Sequence, residues 1–266
     1  MVEAPVATFA YSPVPAIENI PVVFDATTPK GGYTASFTWD FGDGNVTTTA
    51  DPVIAHAYAS HGTYNVTLTV IGLEGLADST WELVEVWRDD MAIIDVVSDR
   101  TWVFQGFSVN LNVTILNRGD FPENVAVTLY YNITANKIIG TQNISIPTGE
   151  NRTLSFVWDT TSVPYCYNYT ITAVATIPLD NNPADNTLAC GPINVRIMGD
   201  INGDGKVDGR DIILVARAFA SCGPEYEYAS SPPSPGWNLD CDINGDNKVD
   251  SRDLVLIARH FGETYQ

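Results

Sequence analysis

The sequence predicts a mainly β chain: two β-sandwich segments followed by a small all-α module carrying two oxygen-rich loops. Three observations predict it. Residues 64–70 (YNVTLTV) and 107–115 (FSVNLNVTI) alternate apolar and polar side chains with period two, as half-buried strands do. Turn-rich pieces such as TTPKGG, FGDGN and LNRGD separate short apolar runs over residues 1–197. Near the C-terminus the period becomes helical. GRDIILVARAFA and SRDLVLIARHFG begin within the ends of two twelve-residue loops, DINGDGKVDGRD at 200–211 and DINGDNKVDSRD at 242–253.

At 266 residues the chain has room for two or three domains. Its formal net charge is −19, from 13 basic and 32 acidic residues. That argues against nucleic-acid and anionic-membrane binding, which need basic patches. No apolar run approaches the roughly 20 residues that span a bilayer. MVEAPVATFA has neither the basic start nor the apolar core of a signal peptide. Other features point to export, so the chain is expected to be a processed or excised segment of a longer secreted protein. N-x-S/T sequons begin at Asn45, Asn65, Asn112, Asn132, Asn143, Asn151 and Asn168, a modest excess over composition. The four cysteines, Cys166, Cys190, Cys222 and Cys241, match no zinc spacing, and an even count in an exported chain favours two disulfides among three pairings.

Residues 1–88 form the first β segment. In TYNVTLTV, Tyr64, Val66, Leu68 and Val70 point one way and Asn65, Thr67 and Thr69 the other. WDFGDG at 39–44, followed by His56, Tyr58, Gly62, Tyr64, Val66 and Leu68 at fixed spacing, resembles a PKD-type immunoglobulin-like module. The resemblance implies a β-sandwich spacer.

Residues 89–197 form the second. Phe107, Val109, Leu111, Val113 and Ile115 share one face, and VAVTLYY, TLSFVW, YTITAVA and INVRI supply further strands. With the late DNNPADN loop, this resembles the CARDB-type β-sandwich of prokaryotic surface proteins. Counting outward from Ile193, Val195 and Ile197, and from Tyr169 and Ile171, puts Cys190 and Cys166 on the outer face. A cross-strand Cys166–Cys190 bridge is therefore expected, within the geometric limits on disulfides.

Residues 198–266 carry the duplication. Each loop presents oxygen side chains at positions 1, 3, 5, 9 and 12, the ligand order of an EF-hand-type calcium loop. In loop 1 these are Asp200, Asn202, Asp204, Asp208 and Asp211, with the Lys206 carbonyl at position 7. In loop 2 they are Asp242, Asn244, Asp246, Asp250 and Asp253, with the Lys248 carbonyl. Calcium takes six to eight hard oxygens at flexible geometry, whereas magnesium demands an octahedron and keeps its waters. Position 6 needs a positive φ, which Gly205 adopts freely and Asn247 tolerates. Two ions are implied, and folding of the module is expected to depend on them. Ile212, Val215 and Phe219, with Leu254, Ile257 and Phe261, are expected on the helices' apolar faces. Cys222 and Cys241 bound a Pro/Ser-rich connector. Their bridge would close about 20 residues, worth on the order of 3 kcal/mol.

Paired loops, each followed by a helix and 42 residues apart, resemble a type I-like dockerin. The resemblance implies two-fold symmetry, a β-bridge between Val207 and Val249, and docking into a cohesin domain. Carried over, Gly209, Arg210, Ala216 and Arg217 form one contact face, and Ser251, Arg252, Ala258 and Arg259 the other. Arginine faces fit an acidic partner. The alternative is that the arginines only offset nearby aspartates.

Other signals read as structural. Asp40 and Asp43 are turn caps rather than paired acids. His56 belongs to the module's pattern, and His61 and His260 are isolated. Asp180, Asn181, Asn182, Asp185 and Asn186 lack a regular ligand period, so a solvated acidic loop is favoured over a third calcium site. Trp39, Trp81, Trp87 and Tyr130 belong in sandwich cores rather than on a sugar platform. The expected function is non-catalytic attachment through a cohesin-type partner. Self-assembly of a surface protein, and an accessory region of a polysaccharide-degrading enzyme or peptidase, are the alternatives.

Overall fold

The computed structural model describes residues 5–27, 34–132, 136–165, 167–224 and 233–265. Its first eight strands are β1 (Ala10–Ser12), β2 (Ala16–Ile17), β3 (Val22–Asp25), β4 (Thr34–Asp40), β5 (Val46–Thr49), β6 (Val53–His56), β7 (Gly62–Gly72) and β8 (Ala77–Trp87). They form two facing sheets, in the orders β1-β3-β6 and β2-β8-β7-β4-β5. The alternation in β7 holds: Val66, Leu68 and Val70 are fully buried and Asn65 is exposed. Trp39 from β4 and Phe24 from β3 close the core between the sheets, their rings 5.8 Å apart. Each large apolar side chain removed from water here contributes about 1.5–3 kcal/mol.

The next eight strands are β9 (Met91–Ser98), β10 (Trp102–Phe104), β11 (Ser108–Asn117), β12 (Glu123–Asn132), β13 (Asn136–Ile146), β14 (Asn151–Asp159), β15 (Tyr167–Thr176) and β16 (Thr187–Arg196). Their sheets run β14-β11-β9 and β10-β16-β15-β12-β13. Val109, Leu111, Val113 and Ile115 of β11 are fully buried against Trp158, Leu129 and Tyr169, as the period-two pattern requires.

One strand departs from its expected parity. In β15–β16 Tyr169 pairs with Ile193, but Ile171 pairs with Cys190, so β16 carries an extra residue at Gly191–Pro192. Such a bulge turns the following side chains to the opposite face, and Pro192 has no ladder N–H to lose. Cys190 consequently packs on the inner core instead of facing out. Its thiol is free, and burial pushes it up. Cys166 lies outside the described residues. Its neighbour Tyr167 pairs with Val195, well along β16 from Cys190. The expected cross-strand bridge is not supported, since the Cys190 thiol is free.

Two helices follow, α1 (Gly209–Ala218) and α2 (Ser251–His260), with a short 3-10 turn at Leu239–Cys241. Their core of Ile201, Val207, Val215, Ile243, Val249 and Ile257 includes Phe104 and Ile197 from the preceding sandwich. Arg196 seals that junction. Its guanidinium lies 4.2 Å from the Trp102 ring centre and donates to the Ile201 carbonyl at 3.1 Å. No helix among the described residues is long and apolar enough to cross a membrane.

Candidate metal centres and docking face

The two loops fold around their last aspartates. Asp211 is fully buried, and its Oδ1 accepts from the backbone N–H groups of Ile201 (2.9 Å) and Asn202 (3.2 Å). Its Oδ2 accepts from Asp208 N–H (2.9 Å), while the Asp208 side chain caps α1. Asp253 repeats each bond, to Ile243 (2.8 Å), Asn244 (3.2 Å) and Asp250 (2.8 Å). Asp200 accepts from Asp204 and Gly205 N–H, and Asp242 from Asp246 and Asn247 N–H. Asn202 and Asn244 each accept from the N–H two residues on, the Asx turn that alternating Asp/Asn residues adopt. Position 6 has φ of +83° at Gly205 and +62° at Asn247, as the ligand pattern requires.

The electrostatics ask for a cation. Burial, and then the neighbouring Asp211, push the Asp200 carboxyl above its ordinary range, against the backbone N–H bonds that lower it. Burial and then Asp253 do the same to Asp242. Asp246 Oδ1 is buried without a hydrogen-bond partner. A partnerless buried carboxylate oxygen is costly unless an ion takes it. With only oxygen donors on offer, the residues fit a hard divalent cation such as calcium.

The expected Val207–Val249 bridge is absent. Each loop pairs instead with the segment that follows the other repeat's helix. Lys206 bridges Thr264, and Val207 exchanges bonds with Gly262 and Glu263. Lys248 bridges Cys222, and Val249 exchanges bonds with Ala220 and Ser221. The valines, both fully buried, anchor an exchange of strands between repeats.

All eight candidate contact residues are exposed. Gly209, Arg210, Ala216 and Arg217 lie along one face of α1, and Ser251, Arg252, Ala258 and Arg259 along the equivalent face of α2. The arginines divide into two kinds. Arg210 pairs with Asp204 at 3.3 Å and Arg252 with Asp246 at 2.9 Å, so these two do offset loop aspartates. Arg217 and Arg259 make no ion pair among the described residues. Sequence reasoning missed the apolar part of the face: Ile213 and Val255 are about half exposed between the candidate residues; Phe219 and Phe261, at the helix ends, are exposed to a similar degree. Val215 and Ile257 are buried as expected, but Phe219 and Phe261 are the helix C-caps and turn outward. The repeat itself was the signal, because both pairs are equivalent positions.

The Cys222–Cys241 bridge is also corrected. Both thiols are free. Cys241 packs in the helical core, where burial pushes it up to about 11. Cys222 belongs to the Lys248 bridge, and Ser234 closes the connector by accepting from Cys222 N–H at 2.6 Å and donating to its carbonyl at 3.1 Å.

The remaining candidates lie in the two sandwiches. Asp43 accepts from Asn45 N–H at 3.0 Å and pairs with His56 Nε2 at 2.7 Å, and His56 stacks on Phe41 at 4.0 Å. Trp39 is buried and Trp87 packs on Phe121, but Trp81 is 62% exposed and not in the core as expected, because it has the opposite parity to the buried Val84 and Val86 of β8. Asn45, Asn65, Asn112, Asn143, Asn151 and Asn168 are exposed and Asn132 is half-buried. The 180–186 loop is not fully solvated: Asn186 is buried, and Asp180 and Asp185 gather beside Asp90.

Fold and site together define a modular attachment or accessory region. Residues 2–85 match the family model for the PKD domain, and residues 198–262 match that for the dockerin type I domain. The chain thus carries a PKD module and a type I dockerin, a calcium-binding family, joined by a second β-sandwich. Collagenase ColA of Bacillus cereus is 38% identical over 72 residues, which are 27% of this chain and 7% of that protein. The chain therefore spans a small part of that relative's length. The PKD1 domain of the Vibrio cholerae metalloprotease PrtV is 32% identical, covering 31% of this chain and 96% of that one, with a TM-score of 0.27. The CARDB domain of the PF1109 protein from Pyrococcus furiosus, in complex with di-metal ions, is 18% identical. It covers 41% of this chain and 89% of that one, with a TM-score of 0.34. The middle sandwich rests on its own strand pairing.

Proposed function

We propose that this chain is a non-catalytic extracellular or cell-surface attachment region. Its dockerin docks onto a cohesin-type domain, and the sandwiches at residues 1–88 and 89–197 act as spacers. Each loop holds one Ca2+ through the five side chains named above and the position-7 carbonyl. The ion supplies the charge that lets four clustered aspartates fold together. The observation that carries the reading is the duplicated face, with arginine and apolar residues exposed at equivalent positions on α1 and α2. A merely solvated face does not call for exposed Ile213 and Val255 between the arginines of both helices. The test is binding of the purified chain to immobilised cohesin-type domains in calcium and in EDTA. Binding in calcium alone supports docking; failure against a broad cohesin panel in calcium rejects it.

A second reading is a self-assembling surface protein, favoured by the shared core at Phe104 and Ile197, which suits a rigid rod better than a swinging tether. Calcium-dependent polymerisation of the pure chain, seen by light scattering, would favour it. The short match to a collagenase supports a third, an accessory region of a secreted enzyme.

A further inference from the structure

A second acidic cluster lies away from the helical module, where the two sandwiches meet. Asp90, at the start of β9, and Asp180 and Asp185, in the β15–β16 connection, bring carboxylate oxygens within 4.8 Å of one another. The 180–186 loop showed two of its members in the sequence, but Asp90, some ninety residues away, could not be joined to them without the fold.

Acidic clusters are common on surfaces, but this one is built on a buried member, with Asp180 and Asp185 half-buried beside it. Asp90 is 7% exposed, and its Oδ1 is buried without a hydrogen-bond partner. Asp185 Oδ1 is likewise buried and partnerless, since Arg118 takes the other oxygen. The neighbouring Asp89, 4% exposed, and Asn186 carry further partnerless buried oxygens. Asp180 is held in place by accepting from Met91 N–H (3.1 Å) and Asn182 N–H (2.7 Å). Arg118 supplies one positive charge against three carboxylates, and Arg88 stands nearby. Buried acceptors with nothing to accept from call for a donor or a cation.

We infer that Asp90, Asp180 and Asp185 hold a divalent cation, of the calcium type, at the junction of the two sandwiches. The ligands are all hard oxygens, with no nitrogen or sulfur to favour zinc. The position gives the ion a role. Asn181 N–H donates to the Asp89 carbonyl at 2.7 Å, and Asp89 N–H to Asn181 Oδ1 at 2.7 Å. Asn181 Nδ2 also donates to the Glu18 carbonyl of the first sandwich. Fixing Asp180 and Asp185 on Asp90 therefore fixes the loop that touches both sandwiches. The ion stiffens this joint independently of the dockerin loops.

The test uses the full chain and calcium chloride alone. Calcium stoichiometry is measured by equilibrium dialysis for the wild type, Asp90→Asn and Asp180→Asn. Each variant keeps side-chain shape and relieves repulsion, so each is expected to fold and to bind one ion fewer than the wild type. Equal counts in the wild type and both variants would overturn the inference. Hydrogen exchange of the wild type supplies a readout free of mutation. Calcium-dependent protection of residues 88–93 and 180–186 is expected. Unchanged exchange there, with protection confined to 200–253, means the carboxylates share a proton instead and overturns it. Loss of cohesin binding would alter neither result.

Discussion

Val207 donates its backbone N–H to the Glu263 carbonyl at 2.9 Å, tying the first metal loop to the segment beyond the second helix. Val249 makes the matching bond to Ser221, beyond the first helix, at 3.0 Å. Neither repeat is complete alone, so the two loops and two helices form one cooperative unit.

That exchange predicts how calcium removal acts. Chelation leaves four aspartates clustered in each loop without a counter-charge, and the whole module should unfold in a single transition. Calorimetry in EDTA should show that transition moved well below its calcium-loaded temperature. Truncation after His260 should weaken loop 1, which loses its Glu263 and Thr264 partners. Two separate calcium-dependent transitions would contradict the exchange.

Gly205 and Gly245 make a controlled comparison. Both have positive φ, +83° and +73°. A Cβ at Gly205 would lie 1.9 Å from a Tyr265 ring carbon, whereas at Gly245 nothing lies within 4 Å. Gly245→Ala should cost only the backbone strain, about 1 kcal/mol. Gly205→Ala must also expel Tyr265 and should cost roughly 2–3 kcal/mol. Denaturation in saturating calcium measures both; equal costs would refute the Tyr265 contact.

The Asp43–His56 pair should make the PKD module acid-sensitive. Burial raises the Asp43 carboxyl, but hydrogen bonds from Asn45 and His56 outweigh it and the net shift is downward. A depressed carboxyl contributes stability above its unfolded value, about 3.9, and loses it as pH falls through the folded value. Asp43→Asn should therefore destabilise the module at pH 7 by about 1–2 kcal/mol, and by progressively less below pH 4. A penalty independent of pH would show that the pair contributes nothing through charge.

The free thiols predict insensitivity to reductant. Thermal unfolding of the helical module in calcium should be unchanged by a reducing agent. Thiol reagents should modify half-buried Cys222 before Cys241, which is buried and pushed up to about 11. A lowered unfolding temperature on reduction would restore the disulfide.

Much of this was legible in the chain because it obeys a short period. The alternation in β7 and β11 follows from the two-residue repeat of a pleated strand. The candidate ligand pattern follows from the Asx turns of Asn202 and Asp204, each accepting from the N–H two residues on. What sequence missed depends on contacts between distant residues. The bulge at Gly191–Pro192 reversed Cys190. Val207 found Glu263 rather than Val249, because each loop lies beside the other repeat's chain end. Asp90 joined Asp180 and Asp185 only through the packing of β9 beneath their loop.

The central claim, docking through a duplicated helix face, is tested most directly by affinity for a cohesin-type domain in saturating calcium. The variants are Arg217→Glu, Arg259→Glu and the double change. Both arginines are exposed and outside the metal loops, so folding should be unaffected. Two equivalent faces predict that each single variant keeps near-normal affinity, with about a twofold loss of binding orientations, and that the double variant binds at least a hundredfold more weakly. Unchanged affinity in the double variant would contradict the account.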